Sequence, residues 1–206
     1  MLTRRSLLAT GAAFAASPAF SAVECSSPNP FGVKSCAVGL QNVPVVLQDC
    51  PQWCWAACAE LAFKVQGYEI DQRQFVRKVY GNENTCLPAV GRQIAGAISG
   101  AWTDATGKTV TAFARPLMDL DVFPPIQHPN PLDIIRNELS NDRLVIAGTL
   151  GHAIAITAME YFEDGFGQQQ LQSITVRDPF PTSGNRYYMS PVQFYSGRLL
   201  MTIQFS

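Results

Sequence analysis

Gln48-Asp-Cys-Pro-Gln-Trp-Cys54-Trp-Ala-Ala-Cys-Ala-Glu-Leu-Ala-Phe-Lys-Val-Gln-Gly67 is the stretch on which the fold turns. From Cys54 to Gln66 it is built of strong helix formers, and Gly67 stands where a C-terminal cap belongs. Trp55, Ala56, Ala59, Ala62 and Phe63 leave almost no polar face, so the predicted helix lies inside the protein rather than on it. Cys54 falls where irregular chain becomes this buried helix. Unpaired backbone N–H groups and the positive end of the helix dipole there favour a thiolate, the nucleophilic form of cysteine. Trp53 and Trp55 flank it as aromatic walls. A lone cysteine in such a run is more often a core or disulfide residue, so its company decides the reading.

Working outward, residues 23–47 lack helical periodicity and read as an extended arm with a strand near Val43–Leu47. Helices are predicted at Asp71–Val79, ended by Gly81, and near Ala89–Ile98. Phe123–Pro131 carries four prolines in nine residues and cannot be regular structure. It serves as a crossover, after which Pro131 opens a short helix to Ser140 with Asn130 as its cap. Apolar, β-branched runs follow at Arg143–Leu150, Ala153–Phe162, Gln170–Arg177 and Leu199–Phe205, and Glu163-Asp-Gly-Phe-Gly supplies a hairpin turn between the second and third. The fold class is therefore α+β. One domain spans 23–206, with a helical lobe at about 48–123 and an antiparallel sheet lobe at about 124–206 plus the arm 23–47.

Residues 1–22 have a charged start, a short apolar stretch and small residues at the end, as a secretory signal peptide does. Adjacent Arg4 and Arg5 give it a twin-arginine character, and export to the periplasm or medium is expected. Removing 1–22 takes away Arg4 and Arg5 and no acids, which leaves 13 Lys+Arg against 16 Asp+Glu, a net charge near −3. A mildly acidic chain with no basic block argues against a nucleic-acid partner. No other segment is long and apolar enough to span a bilayer, so no membrane partner is expected after leader removal. The six cysteines all survive export. With Cys54 held free, Cys25–Cys36 and Cys50–Cys86 are the simplest bridges and Cys58 the buried spare, although sequence does not fix the connectivity.

Three further residues are candidates beside Cys54. Gln48 stands six residues before it (54 − 48). A side-chain amide held there can donate to the oxygen that becomes negative when a thiolate attacks a carbonyl, and one such donor is worth roughly 3–4 kcal/mol in the transition state. There are two histidines. His128 lies in the crossover, where nothing fixes its ring. His152 follows Gly151 and opens the run Ala153-Ile-Ala-Ile-Thr, at the entrance to a strand. An imidazole at the mouth of an apolar hairpin is costly unless it is used or hydrogen-bonded. Asp178 ends the strand Ile174-Thr-Val-Arg before Pro179. In an antiparallel meander the end of the third run comes beside the start of the second, which puts Asp178 next to His152, where a carboxylate orients the ring.

These residues resemble a known family. Gln48, the segment Cys54-Trp55-Ala56-Ala57, then Gly151-His152-Ala153 and Val176-Arg177-Asp178-Pro179 look like the bacterial Cys-Trp-Ala-Ala branch of the papain-like cysteine peptidases. That branch includes relatives of bacteriocin-leader peptidases and plant-pathogen effector proteases. The likeness runs from about Val43 to Pro181. It implies a papain-like fold, with the catalytic groups in a cleft between the lobes. It also implies a cysteine peptidase with Cys54 as nucleophile, His152 as general base, Asp178 as orienter and Gln48 as oxyanion donor. The substrate would be a protein or peptide, and no metal or organic cofactor is needed. Departures exist. His152 is only 98 residues after Cys54 (152 − 54) and the orienter is Asp rather than Asn, where the papain signature has about 130–150 residues and Asn. Cys50 precedes Cys54 by four residues (54 − 50), one more than in papain, so the family's disulfide does not transfer cleanly.

Three alternatives stand beside this expectation. The same triad serves a cell-wall peptide amidase or an acyltransferase. The scaffold also serves as a catalytically dead binding module. Finally, Cys50, Cys54 and Cys58 form a Cys-x3-Cys-x3-Cys series, an unusual spacing for zinc.

Overall fold

Short apolar runs with β-branched residues become strands buried on both faces, and helices cover them. The computed structural model describes residues 22–149, 151–183 and 185–206; the expected leader 1–22 lies outside these, apart from Ala22. In chain order the elements are β1 (Glu24–Cys25), β2 (Lys34–Gly39), α1 (Cys54–Val65), α2 (Gln72–Tyr80), α3 (Gly91–Ile98), β3 (Gly100–Thr103), β4 (Thr109–Asp119) and β5 (Ile126–Gln127). Then follow α4 (Pro131–Ser140), β6 (Val145–Thr149), β7 (His152–Glu163), β8 (Gln169–Arg177), β9 (Arg186–Met189), α5 (Pro191–Tyr195) and β10 (Leu199–Phe205).

Among the described residues the strands form one sheet whose pairings are all antiparallel, with the path β1-β2-β7-β6-β10-β4-β3 and with β8 and β9 added outside β7. The class is mixed helix and antiparallel sheet, as expected. Successive side chains alternate faces. Ile146, Ala153, Ala155 and Met201 join a core with α1, α2 and α3, whereas Val145, Ala147, Ile154, Ile156 and Leu200 join a second core with α4 and α5. Burial on both faces is why these strands read as continuous apolar runs instead of an alternating pattern.

α1 is the centre of the first core. Cys54 through Phe63 are all buried, and Phe63 meets Phe75, Trp102 and Phe205 at ring-centroid distances of 5.4, 5.5 and 5.0 Å. Truncating such an aromatic to Ala costs about 3–5 kcal/mol. Glu60 is the charged residue on this buried stretch, and its carboxylate accepts from Lys64 Nζ at 2.7 Å, Gln72 N at 3.2 Å and Gln72 Nε2 at 3.1 Å. Gly67, at φ +79°, turns the chain out of the helix, a conformation that favours glycine.

Two expectations are corrected. The strand of the arm is β2 at Lys34–Gly39, paired to β7, and not Val43–Leu47. Pro44 has no N–H to give a ladder, and the 43–48 backbone is tied by separate contacts: Val43 O accepts from Arg177 Nη2, Leu47 O from Gln72 Nε2, and Gln48 N donates to Pro179 O. The sheet also begins before position 124, because β3 and β4 fall inside the span assigned to the helical lobe. β4 alternates exposed and buried residues through Ala114 and pairs with β10, the period of a strand with one buried face. The crossover Phe123–Pro131 is irregular apart from the two residues of β5 and Pro131, which opens α4.

Both expected disulfides form, Cys25–Cys36 and Cys50–Cys86, and Cys54 and Cys58 are free and buried. No helix among the described residues is long and apolar enough to cross a membrane. The Cys50–Cys86 bridge spans a sequence separation of 36 and ties the approach to α1 to the loop before α3. Replacing Cys50 and Cys86 together by Ser is expected to lower the unfolding free energy by about 3–4 kcal/mol, the loop-closure value for a ring of this size. Urea unfolding of the oxidised proteins measures this; a loss below about 1 kcal/mol contradicts it.

Candidate active site

Cys54 is the first residue of α1, and Trp53 before it supplies no side-chain cap. The first-turn N–H groups therefore remain directed at whatever sits on the helix mouth, and a thiolate there gains from them and from the dipole. The sulfur is nearly buried, at 8% residue exposure. It accepts a hydrogen bond from Ala153 N at 3.3 Å, which brings the first turn of α1 against the start of β7.

His152 is the first residue of β7 and pairs with Thr149 of β6. Gly151, at φ +82°, makes the turn into the strand. Arg177 pairs with Ala155, so Asp178 leaves β8 beside the opening residues of β7. The result is His152 Nε2 at 2.7 Å from Asp178 Oδ1. An ionised carboxylate only accepts, so the ring proton in that contact belongs to Nε2 and Nδ1 is the nitrogen left for Cys54. The interaction with Cys54 is the largest reason the His152 pKa rises from 6.5 to about 9; partial burial opposes it, and the Asp178 hydrogen bond and charge add to it. The imidazole thus lies between a sulfur and a carboxylate, both of which favour its protonated form.

Asp178 is 7% exposed and is itself held. Its Oδ1 also accepts from Phe180 N at 2.8 Å, its N–H donates to Asn185 O, and its carbonyl accepts from Asn185 Nδ2 at 3.2 Å. The Asp-Pro turn that would explain this residue without chemistry is present, and the same oxygen that closes the turn meets His152. The Phe180 ring stands edge-on to the imidazole at 6.3 Å.

Gln48 is 6% exposed, and its Nε2 donates to Cys50 O at 3.0 Å, which leaves the second N–H of that amide. Its Oε1 is buried with no partner among the described residues. The backbone on either side is clamped by Gln72: Nε2 donates to Leu47 O at 3.1 Å, and Oε1 accepts from Asp49 N at 3.0 Å. The Gln48 N–H reaches Pro179 O at 2.9 Å, directly after Asp178. Gln72 and Glu60, which anchor this strap to α1, carry no signal in the sequence, since a glutamine and a glutamate on helices read as solvated polar residues.

The tryptophans act as ties rather than as paired walls. Trp53 Nε1 donates to Thr85 O at 2.9 Å and Trp55 Nε1 to Leu87 O at 3.4 Å, so both indoles and the Cys50–Cys86 bridge hold the 85–90 loop over the mouth of α1. Only Trp55 of the two lines the cleft of about 270 Å³ that opens at Cys54 and His152. Pro88, Val90, Ile94, Ala153 and Leu199 make it largely apolar. His128 lies away from this cleft and lines a different one with Met118, Phe194 and Leu200, and its Nδ1 accepts from Asn130 N at 3.2 Å. Cys58 is one turn further into α1, where burial, and then the Cys54 and Asp178 charges, push its thiol pKa up. A thiol held protonated is a poor nucleophile. Cys50 is engaged in a disulfide, which removes it from the three-cysteine metal alternative.

Because Cys54 is the leading cause of the high His152 pKa, Cys54→Ala is expected to bring it down from about 9, followed by NMR titration of the ring. An unchanged value in that variant would separate the two residues.

No protein-family model matches the chain, and no curated protein matches it in sequence.

Proposed function

We propose that this protein is a papain-like cysteine peptidase that hydrolyses peptide bonds after export to an oxidising compartment. The observation that carries the reading is the imidazole of His152 held on one nitrogen by Asp178, at 2.7 Å, with its pKa raised to about 9 chiefly by Cys54. Two disulfides fit the compartment.

His152 takes the Cys54 proton and the pair stands as thiolate and imidazolium. The sulfur attacks the carbonyl carbon of the scissile amide and forms an S–C bond. The carbonyl electron pair moves to oxygen, which accepts from the Cys54 backbone N–H and from the second Gln48 Nε2 hydrogen. Collapse of this intermediate breaks the C–N bond as His152 Nδ1 passes its proton to the leaving amine. Water then gives a proton back to Nδ1 and attacks the thioester carbon, releasing the carboxylic acid and restoring the pair. Asp178 keeps the ring in the tautomer this cycle needs and stabilises its charged form. The Glu60–Gln72 strap serves by keeping Gln48 in register.

Cys54→Ala and His152→Ala are each expected to abolish turnover of a casein or peptide substrate while the unfolding curve stays cooperative. Asp178→Asn is expected to be milder, since an amide orienter suffices in papain-like enzymes. If His128→Ala is inactive and His152→Ala is not, the base assignment is wrong. The active ion pair needs the protonated ring, so kcat/KM is expected to fall as pH rises through about 9, and Asp178→Asn is expected to move that limb to lower pH. Alkylation of Cys54 by iodoacetamide no faster than an ordinary thiol indicates a binding module instead, and turnover of peptidoglycan fragments in place of proteins indicates the amidase.

A further inference from the structure

The cleft that opens at Cys54 holds a carboxylate that the proposed mechanism does not use. Asp119 is the last residue of β4, is 2% exposed and lines that cleft. One hydrogen bond reaches its side chain, from Asp121 N to Oδ1 at 3.1 Å, and Oδ2 has no hydrogen-bond or ion-pair partner among the described residues. Arg198 and Asp121 also line the cleft, and they are bound to each other, with Arg198 Nη2 at 2.6 Å and Nε at 2.9 Å from Asp121 Oδ1. The opening residue of α3 stands beside the Asp119 side chain. Gly91 lies against Oδ2 so closely that a Cβ there would come within 2.3 Å of that oxygen, so the glycine leaves room for the carboxylate at the positive end of α3.

The sheet fixes where this acid stands relative to the reacting sulfur. His152 pairs with Thr149, Gly148 with Leu199, and Leu199 with Asp119, so the four strand ends β7, β6, β10 and β4 form one edge of the cleft. Three strand spacings put Asp119 about 14 Å from His152 along that edge. Gly148 keeps the middle of it low, since a Cβ there would come within 2.9 Å of Leu199 Cβ. The volume of about 270 Å³ lies below the roughly 300–1,000 Å³ of whole-ligand pockets, so the cleft takes a side chain rather than a free cofactor. Apolar walls from Trp55, Val90, Ile94 and Leu199, with Arg198 already taken up by Asp121 and Asp119 left over, suit a long basic side chain: the methylenes lie on the apolar surface and the cation meets the Asp119 carboxylate.

We infer that Asp119 selects substrates, so that the peptides cleaved carry Arg or Lys close to the scissile bond, with the guanidinium or ammonium on Asp119 Oδ2. This rests on the peptidase reading above. At about 3.4 Å per extended residue, and allowing for the reach of the basic side chain, its position is within about three residues of the bond cut.

The test uses the exported, disulfide-bonded protein and fluorogenic peptides that differ at one position at a time, with Arg, Lys, citrulline or norleucine. Arg and Lys are expected to raise kcat/KM over citrulline and norleucine by at least about tenfold at one position, as a desolvated charge pair does. In Asp119→Asn, which keeps the shape, that ratio is expected to collapse to near one. Citrulline cleaved as well as Arg by the unmodified protein overturns the inference, as does a basic preference that persists in Asp119→Asn. Fluorescence anisotropy of the same peptides on Cys54→Ala separates the two levels. Binding that prefers Arg and Lys, with no peptide turned over by the intact protein, sinks the peptidase reading and leaves the basic subsite standing. Binding indifferent to the charge sinks the subsite.

Discussion

The contact of His152 with Asp178, made while the same ring faces Cys54, is the constraint around which the rest of the molecule is arranged. An imidazole has two nitrogens, and here each has a different neighbour that favours the charged ring. For this to hold, the first residue of β7 must meet both the N-terminus of α1 and the residue just past β8. The antiparallel ladder supplies the second meeting, since Arg177 pairs with Ala155. The burial of α1 supplies the first, because a helix apolar nearly all round has one stable place, pressed on the sheet with its opening turn against Ala153.

Around this centre the polar strap and the cross-links act on geometry rather than on chemistry. Glu60 and Gln72 spend buried hydrogen-bonding capacity to hold the backbone on either side of Gln48. The Cys50–Cys86 bridge and the two indole N–H groups hold the 85–90 loop above the helix mouth. The four segments of the site are distant in sequence, and placing each on a strand end, a helix end or a cross-linked loop restrains their drift relative to one another.

The strand ends also set Asp119 on the edge that His152 opens. Position 119 is near the middle of the chain and shows no motif, yet the order β7-β6-β10-β4 sets it on the same edge as His152. Asp119 is 2% exposed there and takes one hydrogen bond, from Asp121 N.

Much of the helical part was legible in the sequence, because capping glycines and apolar periodicity are local signals: α1, α2, α3 and α4 fall close to the predicted spans. The four apolar runs are strands, while the pairing of the bridges, for which the sequence offered only a simplest choice, is decided by the fold. The arm strand is not legible, because Val43–Leu47 has strand composition while the pairing with β7 falls to Lys34–Gly39, a matter of neighbours. β3 and β4 are hard to read because alternation with small residues such as Ala112 and Ala114 is a weak pattern on its own. The sequence by itself determined which residue types are available, a cysteine at a helix mouth, a histidine at a strand entrance and an aspartate at a strand end. Only the tertiary structure decided that Gln72 clamps Gln48, that Trp53 ties a loop instead of lining the cleft, and that Asp119 shares the cleft with Cys54. Those relations join residues tens of positions apart, and strand order and long-range pairing, not local propensity, set such distances.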